Sequence, residues 1–284
     1  MPQFYYFLFL SFLLPLFSTS CVASISAPVE PRQVLISAGK AYLGSNAAEK
    51  DFGYEIGSAA ARRWRWFDIE KERMVNLDEY AMDRGLVTQK DYEEFVQETQ
   101  HRAPFITAKE YQQQGFLVHP YDEVKKYLWQ NNSPPENLKN HPVVLVSIDD
   151  AEAYCKWRGQ KQSRRYRLPT EDEWEKAARG TNHRYFPWGN QWNPTYLNSA
   201  TKGPYQTTPV GLYIKGQSPY GIFDMAGNVF QWTGTQQSPK SERYLLKGCS
   251  WDDAPGICRS AARHSRLKTS RHILIGFRCV SIAN

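Results

Sequence analysis

Near its C-terminus the chain carries Lys247-Gly248-Cys249-Ser250-Trp251-Asp252-Asp253, then Cys258-Arg259-Ser260-Ala261-Ala262-Arg263-His264, then Gly276-Phe277-Arg278-Cys279. Two kinds of chemistry are available to such residues. Cys249 and Cys258 are separated by eight intervening residues across a Pro-Gly turn, and three readings of them are open: a structural disulfide, a redox-active disulfide, or a thiolate pair holding a metal. His264, next to Arg263, and His272 flank an Arg-rich segment, and with Asp252 and Asp253 they make a set able to act as acid and base. For each histidine alone an ordinary surface or core role is the competing reading.

The rest of the chain has to place these groups, and its size allows that. It has 284 residues, 41% of them hydrophobic and 14% aromatic, enough to bury a sizeable core in one large domain or two small ones. The net charge of +6 is spread along the sequence. Arg62-Arg63-Trp64-Arg65 and Arg164-Arg165-Tyr166-Arg167 are local basic clusters of a kind that meets phosphate or a membrane surface. Solvated faces paired with Asp68, Glu70 and Glu72 are the plainer reading, and no nucleic-acid partner is expected.

Residues 4–17 are almost wholly apolar and precede Ser18-Thr19-Ser20, which is the layout of a secretory signal over residues 1–21 rather than of a spanning helix. An uncleaved anchor is the alternative. Cys21 sits where a lipoprotein signal places its lipidated cysteine, against ordinary cleavage near Ala23, so a membrane tether through Cys21 is one expectation. The chain is therefore expected to be exported, periplasmic or on the outer surface, where Cys155, Cys249, Cys258 and Cys279 pair.

Alternation around a Gly turn predicts a strand pair over residues 33–45, and residues 75–82 alternate again. Thr88 with Asp91 opens a helix whose Tyr92, Phe95 and Val96 share one face. Residues 103–140 read as a long surface excursion whose His119-Pro120-Tyr121 and Trp129 shape a binding face. A short buried strand is expected over residues 143–146, then a helix capped by Asp149 or Asp150 with Ala153, Tyr154 and Trp157 inward. Thr170 and Glu173 make a capping box before Trp174, Ala177 and Ala178. From Arg184 onward the text is mostly turns, with no internal repeat.

The order Arg167-Leu168-Pro169-Thr170-Glu171-Asp172-Glu173-Trp174-Glu175-Lys176-Ala177-Ala178-Arg179-Gly180, then Phe186-Pro187-Trp188-Gly189-Asn190, then residues 221–232, then Gly276-Phe277-Arg278, resembles the sulfatase-modifying-factor family, formylglycine-generating enzyme and its relatives. The resemblance covers residues 33–281 and implies one irregular α+β domain, distantly like a C-type lectin. It does not fix an activity, since the family spans a copper-dependent oxidase, an ergothioneine-type iron enzyme, a pyoverdine-maturation enzyme and binding modules.

Site residues follow from the resemblance one at a time. It implies a disulfide joining Cys155 to Cys279, and it makes Trp232 and Ser250 counterparts of active-site residues. Asp253 falls where the first copper cysteine belongs, so copper is not expected at the family site. One calcium site has Lys202 where a carboxylate is usual; the other would use Ala226, Gly227 and Val229 with Gln231 in place of a glutamate, a weak calcium candidate. Iron is not supported, because the six histidines are dispersed. The expected function is oxidative maturation of a peptide, or of a small molecule derived from one. The alternatives are a non-catalytic binding or scaffold module, and formylglycine generation by rearranged Cys249 and Cys258.

Overall fold

Four helices begin on one chemical device. Thr88, Thr107, Ser147 and Thr170 each accept the backbone N–H three residues on, and the carboxylates of Asp91, Glu110, Asp150 and Glu173 reach back to the capping residue. Each box satisfies two backbone donors that a helix start otherwise leaves open. The structure is a computed structural model that describes Met1, residues 32–115 and residues 119–282. The leader read over residues 1–21, Cys21 included, lies outside the described residues apart from Met1.

In chain order the elements are β1 (Gln33–Ile36), β2 (Gly39–Leu43), α1 (Ala47–Ile56), α2 (Ala59–Arg63), β3 (Arg73–Leu77) and β4 (Tyr80–Asp83). Next come α3 (Gln89–Thr99), α4 (Ala108–Gln113), α5 (Tyr121–Val124), α6 (Ile148–Gln162), β5 (Arg165–Arg167) and α7 (Glu171–Arg179). The last third holds β6 (Phe230–Gln236), β7 (Arg243–Lys247), β8 (Arg263–Leu267), β9 (Ile275–Gly276) and β10 (Val280–Ile282). Helices and sheets mix in one α+β fold. Among the described residues no helix is long and apolar enough to cross a membrane.

The sheets show where local reading stops. β1 and β2 are strands as expected but do not pair with each other: β1 pairs with β4, and β2 with β3. The four-stranded sheet runs β1-β4-β10-β5, so the C-terminal strand lies between elements far away in sequence. A second four-stranded sheet runs β8-β7-β6-β9, with β9 parallel to β6. Residues 143–146 are fully buried as expected, but they form no strand; Leu145 is left-handed, which breaks any ladder. The cap of α6 is Ser147, with Asp150 as the carboxylate of its box, not Asp149 or Asp150 as the cap itself.

Residues 103–140 are more than a surface excursion. Tyr111, Val124, Tyr127 and Leu138 pack with Val144, Leu145, Trp251 and Ile273 into a core of their own, while Trp129 is buried and donates to Gln89 Oε1 at 2.6 Å. The main core lies between α3, α6 and the second sheet, where Tyr92, Phe95, Tyr154 and Phe277 meet edge to face or stacked. Cys155 on α6 is bonded to Cys279 just before β10, as the resemblance implied.

Beside these apolar clusters runs a buried ionic network. Arg179 bonds Glu49 at 2.6 Å and Glu175 at 3.0 Å, Lys247 bonds Glu175 at 2.9 Å, and Arg259 bonds Glu70 at 3.0 Å. Each charge faces an opposite one, which is the condition for keeping ions out of water. The network ties α1 and α7 to both flanks of the segment that follows β7.

Candidate functional site

β7 delivers the chain to Lys247, whose ammonium is fixed by Glu175 and by the Ala261 carbonyl at 3.1 Å. Gly248 turns it with φ of 73°, a conformation that glycine adopts without cost. Cys249 is bonded to Cys258, and its sulfur also accepts the Gly227 N–H at 3.0 Å. Beyond the disulfide, Arg259 inserts against α1, close enough that a methyl on Gly53 would meet its Nε at 2.4 Å. Residues 250–257 are thereby held at both ends, and they carry Ser250, Asp252 and Asp253.

The Ser250 hydroxyl stands between the two acids. It lies 2.6 Å from Asp252 Oδ1 and within hydrogen-bond reach of Asp253 Oδ2, and the Ser250 N–H donates to that same Asp253 oxygen at 2.8 Å. A hydroxyl has one proton, so two oxygen–oxygen bonds around it need a second proton on a carboxyl. Asp253 is the group suited to hold it: burial, then the Asp252 charge, push its pKa up to about 7. At Asp252 burial opposes the charge too, but hydrogen bonds from His119 and Ser250 outweigh it and keep that carboxyl below its usual range. The pair is split into a proton holder and an anion.

His119 supplies the counter-charge. Its Nε2 lies 2.9 Å from Asp252 Oδ2 and its Nδ1 lies 2.8 Å from Glu123 Oε2, so both ring nitrogens face carboxylates and both act as donors. Burial works against the charged ring, yet its bonds to the two acids prevail and raise its pKa. The ring packs on Trp251 at 4.7 Å and stands 6.3 Å from that of His272. His272 Nδ1 accepts the Leu274 N–H at 3.3 Å, which leaves Nε2–H to donate to the Tyr111 hydroxyl at 2.9 Å.

The structure brings some expected residues together and parts others. Ser250, Asp252, Asp253 and the Cys249–Cys258 bond form one unit; Arg263 and His264 do not join it. Successive strand residues face opposite ways. Arg263 on β8 therefore reaches Glu171 at 3.3 Å on the α7 side, while His264 stacks on Phe230 with centroids 5.5 Å apart. Arg266 donates to His264 Nε2, and partial desolvation, then the charges of Arg266 and Arg243, push its pKa down, although the residue keeps an exposed face. His264 is thus a neutral imidazole, and the ring beside Asp252 is that of His119. Trp232 is a core residue, fully buried with its indole N–H on the Val146 carbonyl at 3.1 Å.

His119, Glu123 and Tyr111 escaped the reading of the sequence as members of the acid cluster. A signal existed: His119, just ahead of α5, and Glu123 within it are four apart, a spacing that lets side chains meet. Asp252, 133 residues away from His119, could not be paired with it from spacing alone.

The metal expectations can be tested against the donors present. Gln231 Oε1 already accepts from Trp174 Nε1 at 2.8 Å and Arg278 Nε at 2.7 Å, and its amide nitrogen donates to the Asp224 carbonyl at 2.7 Å. With a buried guanidinium beside it, the set Ala226, Gly227, Val229 and Gln231 does not suit calcium. Lys202 lies on the surface. Cys249 and Cys258, bonded to each other, form a disulfide rather than a thiolate pair holding a metal. Among the described residues no three His, Cys, Asp or Glu side chains are grouped to hold a metal.

Comparison with known proteins agrees with this architecture. A family model described as sulfatase-modifying factor enzyme 1-like domain matches residues 22–283. The inactive C-alpha-formylglycine-generating enzyme 2 of Mus musculus is 34% identical over 247 residues, spanning 74% of this chain and 78% of that one. Hercynine oxygenase of Mycolicibacterium smegmatis is 29% identical over 245 residues, covering 74% of this chain and 55% of its own length. Among solved structures, PvdO from Pseudomonas aeruginosa superposes with a TM-score of 0.66 at 21% identity, over 88% of this chain and 93% of that one. The chain belongs to the sulfatase-modifying-factor family.

Proposed function

We propose that this chain is an exported, formylglycine-generating-enzyme-like protein that supplies proton transfer in the oxidative maturation of a peptide or peptide-derived substrate. The observation that carries the reading is the single Ser250 hydroxyl between two carboxylates of opposite tendency, Asp253 raised to about 7 and Asp252 held low by His119. A general base and a general acid separated by one side chain can take a proton from one atom of a bound substrate and return one to another. Family relatives that include a hercynine oxygenase support the oxidative setting, and the two disulfides suit an oxidising compartment.

A second reading is favoured by a specific observation. With Asp253 in the copper position and Cys249 bonded to Cys258, the fold would serve as a binding module without turnover, and a relative carrying the word inactive in its name fits that. One experiment separates the two. Candidate peptides are incubated aerobically with wild type, Asp252→Asn and Asp253→Asn, while intact masses and binding are followed. A mass change that both variants lose while binding persists supports proton transfer. A mass change that both retain sinks it, and binding with no mass change even in wild type selects the binding module.

A further inference from the structure

Between α2 and the single helical turn Trp66–Ile69 the backbone passes through Arg65 in the left-handed region, with φ of 52°. Trp64, Trp66 and Ile69 then stand 66%, 42% and 57% exposed within six residues. A lone exposed apolar residue is ordinary, but two indoles and an isoleucine on one short segment make a patch that calls for an occupant. The patch is held firmly. Phe67, between Trp66 and Ile69, is buried, stacked on Tyr54 at 4.7 Å and covered by Arg259 at 4.2 Å, and the Tyr54 hydroxyl holds both the Phe67 N–H and Asp68 at 2.9 Å.

Its rim is basic. Arg62, Arg63 and Arg65 are all exposed; Arg62 reaches the Tyr54 carbonyl at 2.9 Å, Arg63 lies over the Trp64 ring at 5.3 Å, and Arg65 pairs with Asp68. Glu70 is turned inward to Arg259 and the exposed Glu72 lies 3.8 Å from His183, while Asp68 takes up Arg65, so the charge at the rim not met by an acid is that of Arg62 and Arg63. We propose that this segment docks the protein on an anionic phospholipid surface, the indoles and Ile69 entering the headgroup boundary and the arginines meeting phosphates. Charge complementarity favours lipid, because indole and guanidinium together match an interface that is apolar below and anionic above. The proposal is independent of the acid pair. A single acyl chain anchors a protein only marginally, so such a face is the second contact that a tether at Cys21 would need.

The test uses the exported chain with Cys21→Ser, floated with vesicles of phosphatidylcholine alone or mixed equally with phosphatidylglycerol. Binding is expected only to the anionic vesicles, weakening as salt rises. Replacing Arg62 and Arg63 by Gln should weaken it about thirtyfold, the product of two arginine contacts. Replacing Trp64 and Trp66 by Ala should weaken it at least about tenfold, from the lost apolar area. Unchanged thermal melting of both variants, expected for surface positions, excludes misfolding as the cause. Equal flotation with neutral vesicles, no flotation with either, or retained binding by both folded variants overturns the proposal.

Discussion

At the scale of single residues the decisive quantity is the proton held between Asp252 and Asp253. A carboxyl raised to about 7 in the folded chain and ordinary in the unfolded one favours the fold while protonated, and loses that contribution as pH rises from about 4 through 7. Asp253→Asn should therefore flatten the fall in stability across this window and raise stability at pH 8 by the order of 1 kcal/mol, measured by urea unfolding at several pH values. The same proton should set the alkaline limb of any turnover, with activity falling above about pH 7. His119→Ala leaves Asp252 a partly buried anion without its imidazolium, and a loss of about 1–3 kcal/mol is expected in the same assay. From the sequence, Asp252 and Asp253 were legible as acids, because adjacent carboxylates before a cysteine stand out. Their division of labour was not, since it depends on His119 and on a Ser250 hydroxyl whose two contacts exist only in three dimensions.

At the scale of elements, helices were easier to read than strands, for a physical reason. A capping box is written within four residues, so α3 and α7 could be placed from Thr88 and Thr170, and the slip at α6 was one of choosing Asp149 or Asp150 over Ser147. Thr170→Ala should cost about 1 kcal/mol, seen as a melting temperature a few degrees lower. Pairing of strands is not local. Alternation pointed to a strand pair over residues 33–45, yet it carried no sign that β1 would seek β4, or that β10 would enter between β4 and β5. The same limit applies to β8, where Arg263 and His264 are adjacent in sequence and serve opposite sides of the sheet.

At the scale of the whole molecule, the two disulfides do different work. Cys155–Cys279 joins positions 124 apart, and in the chain-entropy picture its loss should cost about 4–5 kcal/mol; Cys249–Cys258 spans 9 and should cost about 2–3 kcal/mol. Double alanine variants of each pair, compared by urea unfolding, should follow that order, while substrate binding should suffer more from the smaller loss. The overall architecture was legible because so many motifs stood in family order, and the Cys155–Cys279 bond came with them. The chemistry was less legible, because it rests on contacts among Ser250, Asp252, Asp253 and His119 that sequence order does not show. The short bracket from Cys249 to Cys258 encloses Ser250, Asp252 and Asp253. A newly made chain in a reducing compartment would lack that bracket and so lack the acid pair's geometry. On the export proposed above, the site would be unformed when the chain is made and would be completed by oxidation after delivery.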